Sequence, residues 1–414
     1  MRLRQGARTL SLVGTVRLHW LPAPEIRFEG EQQKGPPDLI VGKADFTTGA
    51  GGLRGRALVL QHQIFSGRFS GLLNGRAFRG PRRRVREAGF QLLNFSKYVG
   101  KPIRRERHDG VLVTRARLTF ETADVTVTLD QAVDSPDEFR RIRLEGGFLT
   151  THVGSVVAHS GRSMSFDEVD ILHGRLRLFF AFLAGQWTGP VLMTGNGRDR
   201  PIWTEYSNWV VTPSRVARSW LPAQVAEDVT GLLRPFTELH SRQPWGDAIR
   251  TLVYWYVEAN AQSSTLESSL TAAAIPLELL AWMVLVVDGS HLSRRKYKQM
   301  AASERLEAML QHLGIPMTIP DHFPALAESD LAKEKPTGPA CIFHVRNSLV
   351  HPRKSRATHA LVREKRAFLE LKELALSYVE LGFLRALGYQ GHYARRMLDG
   401  WRGQELELVP WANN

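Results

Sequence analysis

Arg346, Asn347 and His351 are the residues of this chain whose types and spacing could do chemistry together; they lie in Arg346-Asn-Ser-Leu-Val-His351, with Pro352 next. A guanidinium supplies fixed positive charge to a transition state, a histidine moves a proton near neutral pH, and an amide beside them orients either one. Spacing alone carries little here. With 44 Arg and 14 His in the chain, about 4.5 Arg–His pairs separated by four to six residues are expected by chance, and six occur. Only the 346 pair has Asn directly after the Arg, a coincidence with an expectation near 0.1 on a rough count.

The surrounding residues strengthen the motif. Ile342, Val345 and Leu349 repeat at helical spacing and would face a core, while Asn347 and His351, four apart, share another face. Pro disfavours helical geometry in the residue before it, which puts His351 at a helix C-terminus, where the dipole favours positive charge. Arg353, Lys354 and Arg356 follow in a loop where phosphates could be held. The bland alternative is a helix end with a capping histidine and a solvated basic loop. Glu278, a carboxylate in an apolar helix, wants a partner; Arg346 and some other structural arginine are both candidates. His344 falls about 200° from Arg346 around a helix and reads as a satisfied or exposed histidine. Trp245, Trp255 and Trp282 lie at core spacing. There is no phosphate-loop, dinucleotide, nucleophile-elbow or zinc-helix signature.

The elements that must position the motif have a helical period. Trp245 to Ala261 places Ile249, Leu252, Val253, Tyr256 and Val257 on one face. Ser264 to about Val287 forms a long apolar helix kinked at Pro276, read as a buried core helix because it is short for a membrane span and contains Glu278. Ser303 would cap a helix that stops at Gly314; a Pro-rich connection covers Ile315 to Pro339; Cys341 to Val350 is short and Thr358 to Leu387 long. Five helices make a bundle.

Up to roughly residue 235 the pattern is that of short strands. Residues 117–129 alternate around Ala123-Asp124, and Gly189–Met193 with Pro201–Tyr206 flank Asn196-Gly197, which predicts a tight hairpin turn. One helix, Asp167 to Leu183, interrupts this half. The expected fold class is α+β multidomain: a β-rich N-terminal domain, 1–238, serving as sensor or regulator, and an all-α bundle, 239–414.

The chain has 414 residues, 43% hydrophobic, with 55 Lys+Arg against 41 Asp+Glu, enough for a real core and against disorder. Its single cysteine, Cys341, excludes a disulfide scaffold and a thiolate metal cluster. The basic N-terminus has no apolar run of signal-peptide length, so a cytoplasmic protein is expected. Residues 1–240 carry 34 basic and 23 acidic side chains, an excess of 11, against 3 (21 minus 18) for the remainder. That excess gathers at Arg76, Arg79, Arg82, Arg83, Arg84 and Arg86 and again at Lys101–Arg107. Such clusters attract polyanions, although a chain so rich in Arg would also show them on a plain solvated face.

A helical bundle with Arg-Asn-x-x-x-His ending its penultimate helix resembles the HEPN superfamily of ribonucleases, over roughly residues 241–400. A β-rich domain ahead of it resembles, more weakly, bacterial anti-phage defence proteins of the ApeA-like type. The resemblance implies metal-independent endoribonuclease activity without a cofactor, by a homodimer formed through the helical domain, in an antiviral or abortive-infection role. Carried over by position, Arg346 would stabilise the phosphorane-like transition state, His351 would act as general acid or base, and Asn347 would orient phosphate or histidine. Glu278 would support Arg346. Arg353, Lys354, Arg356, Arg82, Arg83 and Arg84 would hold RNA phosphates, and the N-terminal domain would answer to a phage-derived or small-molecule trigger. The competing readings are a non-catalytic HEPN module that binds nucleotide or RNA or serves as a scaffold, and a basic N-terminal half that binds nucleic acid while the bundle dimerises it.

Overall fold

Alternating apolar residues near the N-terminus set up the first element of the fold. The computed structural model describes residues 1–33, 40–49, 52–63, 66–107, 110–132, 136–198, 200–207, 209–213, 218–288, 291–351, 364–397, 399–400 and 403–412, and the side chains of all these except 105–107, 110–112, 136 and 143. The chain forms two units. One comprises residues 1–97, 116–177 and 187–216, and the other 98–115, 178–186 and 217–414.

In the first unit, strands β1 (Arg2–Gln5), β2 (Arg8–His19), β3 (Glu25–Gln32), β4 (Gly42–Thr47), β5 (Leu53–Gln63) and β6 (Arg68–Leu73) run antiparallel in the order β4-β1-β2-β3-β6-β5. A further pairing of β4 with β5 closes them into a six-stranded barrel. Register follows the side-chain alternation, because a one-residue slip would turn every apolar residue outward. Leu3 pairs with Leu10 and Phe46, and Leu3, Leu12, Phe28, Phe46, Phe69 and Leu73 fill the interior.

Strand β5 also pairs with β7 (Arg76–Arg79), which carries the sheet on. Next in chain order come β8 (Glu87–Leu93), β9 (Lys101–Arg107), β10 (Gly110–Glu121), β11 (Val125–Gln131), the helix α1 (Pro136–Glu145), β12 (Thr150–Ala158), α2 (Phe166–Ala184), β13 (Pro190–Asn196) and β14 (Pro201–Ser207). The sheet order beyond β5 is β7-β14-β13-β8-β12-β11-β10-β9; β9 and the start of β10 group with the second unit. Gly154 on β12 lies under the ring of Phe90, where a Cβ would meet Phe90 Cζ at 2.1 Å, so only glycine lets the ring cover the strand.

The hairpin predicted around Ala123-Asp124 is β10–β11, with Phe120 opposite Val127. The helix predicted from Asp167 is α2, ended by Gly185 at φ 64°. Two expectations need correction. A second helix, α1, interrupts this half; of its described side chains only Phe139 is buried, so its sequence lacks a strong apolar stripe. Asn196-Gly197 is not a tight two-residue turn: Asn196 pairs with Pro201 and the Gly197 N–H bonds the Arg200 carbonyl, while the positive φ, 52°, belongs to Leu192 within β13.

The second unit is mainly helical. A 3-10 segment (Ala223–Leu232) leads into α3 (Leu233–Ser241), α4 (Trp245–Asn260) and α5 (Leu266–Trp282), and α5 continues as a π-helical segment (Met283–Asp288). Then follow α6 (Arg294–Gln299), α7 (Ala302–Leu313), α8 (Pro324–Glu328), α9 (Asp330–Glu334), α10 (Gly338–Val350), α11 (Lys365–Ala386) and a ribbon of β15 (His392–Ala394) with β16 (Leu406–Leu408). Helix α5 is the central element, packed on α4, α7, α10 and α11. Gly382 of α11 lets it meet α5 and α7 closely, 3.3 Å from Leu280 Cδ1 and 3.5 Å from Met309 Cε to a built Cβ. Leu266–Asp288 is long and apolar enough to cross a membrane, yet 56% of its most apolar window is buried within the fold.

Here too the structure corrects the sequence reading. Among the described residues there are nine α-helices in this half, not five: the Pro-rich connection contains α8 and α9, and α6 precedes α7. The half is helical but not all-α, because of β15 and β16. Ser303 does not cap α7; Ala301 stands at that position and its N–H is bonded by Glu304 Oε2 at 2.8 Å. Gly314, at φ 71°, ends α7 as expected.

Candidate functional site

Helix α10 exists because of its two ends. Thr337 caps it by accepting the Ala340 N–H at 3.2 Å, and Pro339 suits the first turn, where no N–H partner is needed. At the other end Pro352 follows, and His351 leaves helical geometry at φ −119°, ψ 101°, while its N–H still bonds the Asn347 carbonyl at 2.8 Å. His351 therefore terminates the helix, exposed, as its sequence context predicts. Ile342 and Val345 are buried and Leu349 half-buried, so one face of α10 is anchored and the neighbouring face is left for polar groups.

On that polar face Arg346, Asn347 and Glu278 meet, while His351 joins them only through its backbone N–H to Asn347. Arg346 donates to Asn347 Oδ1 at 3.1 Å and lies 3.9 Å from Glu278 of α5. The Arg346 side chain is 27% exposed and Glu278 35%. Arg346 Nε is buried with no hydrogen-bond partner among the described residues, which is costly for a charged group unless something else supplies an acceptor. An anion would meet the exposed part of this guanidinium, 27% of the side chain, rather than the buried Nε. Glu278 is fixed in turn by its own backbone: its carbonyl accepts the Tyr297 hydroxyl at 3.2 Å. Arg353, Lys354 and Arg356 lie outside the described residues.

The other predicted phosphate-binding residues, Arg82, Arg83 and Arg84, belong to the first unit, on an exposed loop after β7. Arg82 lies over the rings of Phe78 and Phe166, at 5.0 and 5.2 Å. Trp203 Nε1 donates to the Arg83 carbonyl at 3.1 Å. Arg84 donates to the Ser163 carbonyl at 2.6 Å and sits 3.9 Å from Glu168.

Three charged clusters were not foreseen. In the first unit, Asp170, His173 and Glu205 bring possible metal-ligand atoms within 4.8 Å of one another. Arg76 already fills the space between the carboxylates, donating to Glu205 at 2.8 Å twice and to Asp170 at 3.0 and 2.5 Å. A divalent ion would have to displace that guanidinium. Burial opposes charge on Arg76, but its bonds to Asp170 and Glu205 prevail and raise its pKa. In the second unit, Arg396 is 1% exposed and bonds Glu373 at 2.6 Å, Glu380 at 2.7 and 2.9 Å and Asn260 at 3.1 Å. Tyr256 donates to Glu380 at 2.5 Å, and its hydroxyl is pushed well up by burial. The third cluster is α6 itself, where Arg294, Arg295, Lys296 and Lys298 are exposed around a buried Tyr297. Glu373 and Glu380, carboxylates two turns apart in a helix rich in apolar residues, were the sequence signal for Arg396; Arg76 and its partners, 94 and 129 residues apart, had none.

Residues 242–407, which hold Glu278, α6 and Arg346–His351, match the family model of the YopA C-terminal domain, and residues 80–217 match that of the YopA central domain. Over 411 residues, 97% of this chain and 91% of the other, the chain is 25% identical to the SPbeta prophage-derived uncharacterized protein YopA of Bacillus subtilis (strain 168). No solved structure matches it.

Proposed function

We propose that this protein is a metal-independent endoribonuclease of the HEPN type, a cytoplasmic defence or abortive-infection effector held in check by its β-rich N-terminal region. One observation carries the reading: Arg346 is kept half-buried by Asn347 and Glu278 with an unsatisfied donor, on the helix whose exposed last residue is His351. RNA carries its own nucleophile. Removal of the 2′-OH proton lets that oxygen attack the adjacent phosphorus, and protonation of the departing 5′-oxygen completes the step, leaving a 2′,3′-cyclic phosphate and a 5′-OH. The protein needs only a proton shuttle and fixed positive charge beside the phosphorane. His351 fills the first role and Arg346 the second, with Asn347 and Glu278 setting the guanidinium plane. DNA lacks the nucleophile and is spared.

In this reading the helical region dimerises and brings two such motifs together, and a phage-derived or small-molecule trigger acts on the N-terminal region. The prophage origin of the similar chain fits a role in conflict between phage and host. The test is incubation of total RNA in EDTA with the protein and with His351→Ala, followed by analysis of fragment ends. Cleavage by the unsubstituted protein alone, ending in cyclic phosphate, is expected. Equal cleavage by both proteins removes His351 from the chemistry, and intact RNA with both leaves the enzyme only as a restrained state awaiting its trigger and makes a binding module the favoured reading.

A further inference from the structure

Helix α6 and the turn before it, His291 to Met300, contain four cations and no carboxylate. Only Tyr297 points inward; Arg294, Arg295, Lys296 and Lys298 are all exposed, and none has an ion-pair partner among the described residues. Nearby carboxylates are engaged elsewhere: Asp288 accepts the Trp245 indole N–H at 2.8 Å, Glu304 the Ala301 N–H and Glu278 faces Arg346. Four like charges on six residues, without a direct ion pair among the described residues, repel one another, a cost that an approaching polyanion turns into attraction.

The position of α6 is set tightly. Ser293 caps it by accepting the Lys296 N–H at 3.2 Å, Arg305 donates to the Tyr297 and Lys298 carbonyls at 2.9 and 3.2 Å and stacks over the Tyr297 ring at 4.6 Å. The Tyr297 hydroxyl bonds the backbone of Glu278, the residue whose carboxylate faces Arg346. The cations are thereby tied, through one side chain, to the turn that carries Glu278. Trp282, half-buried, meets Tyr297 edge-on at 5.2 Å and Arg294 at 6.0 Å. Cations beside a half-buried indole suit a single strand, whose backbone is tracked by charge and whose bases stack on aromatic side chains.

We propose that α6 is the surface on which the phosphate backbone of single-stranded RNA lies as it reaches the Arg346–His351 site, a role that rests on the nuclease reading for its substrate. The full-length protein carrying His351→Ala allows binding to be read without turnover, by fluorescence anisotropy of a labelled single-stranded oligouridylate across a salt series. Joint replacement Arg294→Gln, Arg295→Gln, Lys296→Gln and Lys298→Gln weakens binding at least about tenfold and flattens the slope of log affinity on log salt by up to about 3, since single strands release roughly 0.7 counterion per neutralised phosphate. The control removes four exposed cations from the barrel, Arg2→Gln, Arg4→Gln, Arg17→Gln and Lys43→Gln, and leaves binding unchanged. Equal loss in both variants, or loss in neither, overturns the assignment. Tighter binding of polyglutamate than of the RNA at the same salt also overturns it, giving α6 to an acidic protein. RNA bound through α6 but left uncut by protein that retains His351 supports the surface and counts against the nuclease reading alone.

Discussion

Arg396 and Arg346 are both arginines paired with glutamates in the helical unit, and their surroundings are opposite. Arg396 is 1% exposed, and all three of its nitrogens are bonded, with two carboxylates, an amide oxygen, a phenol and a carbonyl around them. Among the described residues Arg346 has one hydrogen bond, one carboxylate at 3.9 Å and an unpartnered Nε, with a side chain 27% exposed. The first has every donor committed to the fold. The second is positioned but underused, the condition expected of a group that meets its real partner only when a ligand arrives.

The sharpest way to break this contrast is to remove the buried member. Arg396→Met strands Glu380, leaves Glu373 with Lys372 as its remaining cation, and costs about 3–5 kcal/mol, read as a lower urea midpoint; a loss below about 1 kcal/mol would mean that the cluster is no tighter than a surface pair. Arg346→Met changes stability by no more than about 1 kcal/mol, the range of exposed pairs, but lowers RNA cleavage roughly 100- to 1,000-fold. A large drop in melting temperature with cleavage intact would reverse the roles assigned to the two arginines. Glu278→Gln keeps the packing and loosens only the guanidinium, so a loss of about tenfold in cleavage is expected, within the range of an outer-shell partner; no loss assigns Glu278 to structure alone.

Acid distinguishes the two centres next. Burial by itself would raise the Glu373 carboxyl, but Arg396 and Lys372 hold it down at about 2 against the ordinary 4.5. A group depressed on folding stabilises the native state above its ordinary pKa, and that contribution drains away as pH falls from about 4.5 towards 2. Stability should therefore decline across that window, and Glu373→Gln should flatten the decline; an unchanged profile would exclude Glu373 as its source. The smallest effect is a silent one. Cys341 lies on α10 with Arg346, fully buried, its thiol pushed up to about 12 by burial and bonded to the Lys335 carbonyl at 3.0 Å. It should resist alkylation in the native protein and react only when α10 opens, so rapid native labelling would show that Arg346 stands on a loose helix.

Much of the helical half was legible because its signals are local. Gly314, the His351-Pro352 boundary and the apolar spacing of α4 and α5 each act within a few residues, and the hairpin of β10 and β11 rests on alternation around a short turn. The apposition of Glu278 and Arg346, one of two pairings the sequence left open, came from the rule that a carboxylate in an apolar helix needs a cation. What stayed hidden depends on distance along the chain. Barrel closure joins β4 to both β1 and β5, and alternation within a strand says nothing about its neighbours. Ala301 at a cap position gives no side-chain signal, since the work is done by Glu304. The cations of α6 were lost against a background of 44 arginines; only the inward turn of Tyr297 sets them apart.

The barrel has a consequence for the order in which this protein can be made. Every one of its strand pairings lies between Arg2 and Leu73, so its hydrogen bonds are all available to a nascent chain that has emerged little further than β6. Strand β7 then gains its outer neighbour only when β14 is synthesised, with more than a hundred residues between them. During elongation the growing chain can thus carry a finished N-terminal body beside an unfinished sheet edge, and a pause in translation between β7 and β14 is where misassembly would be most costly.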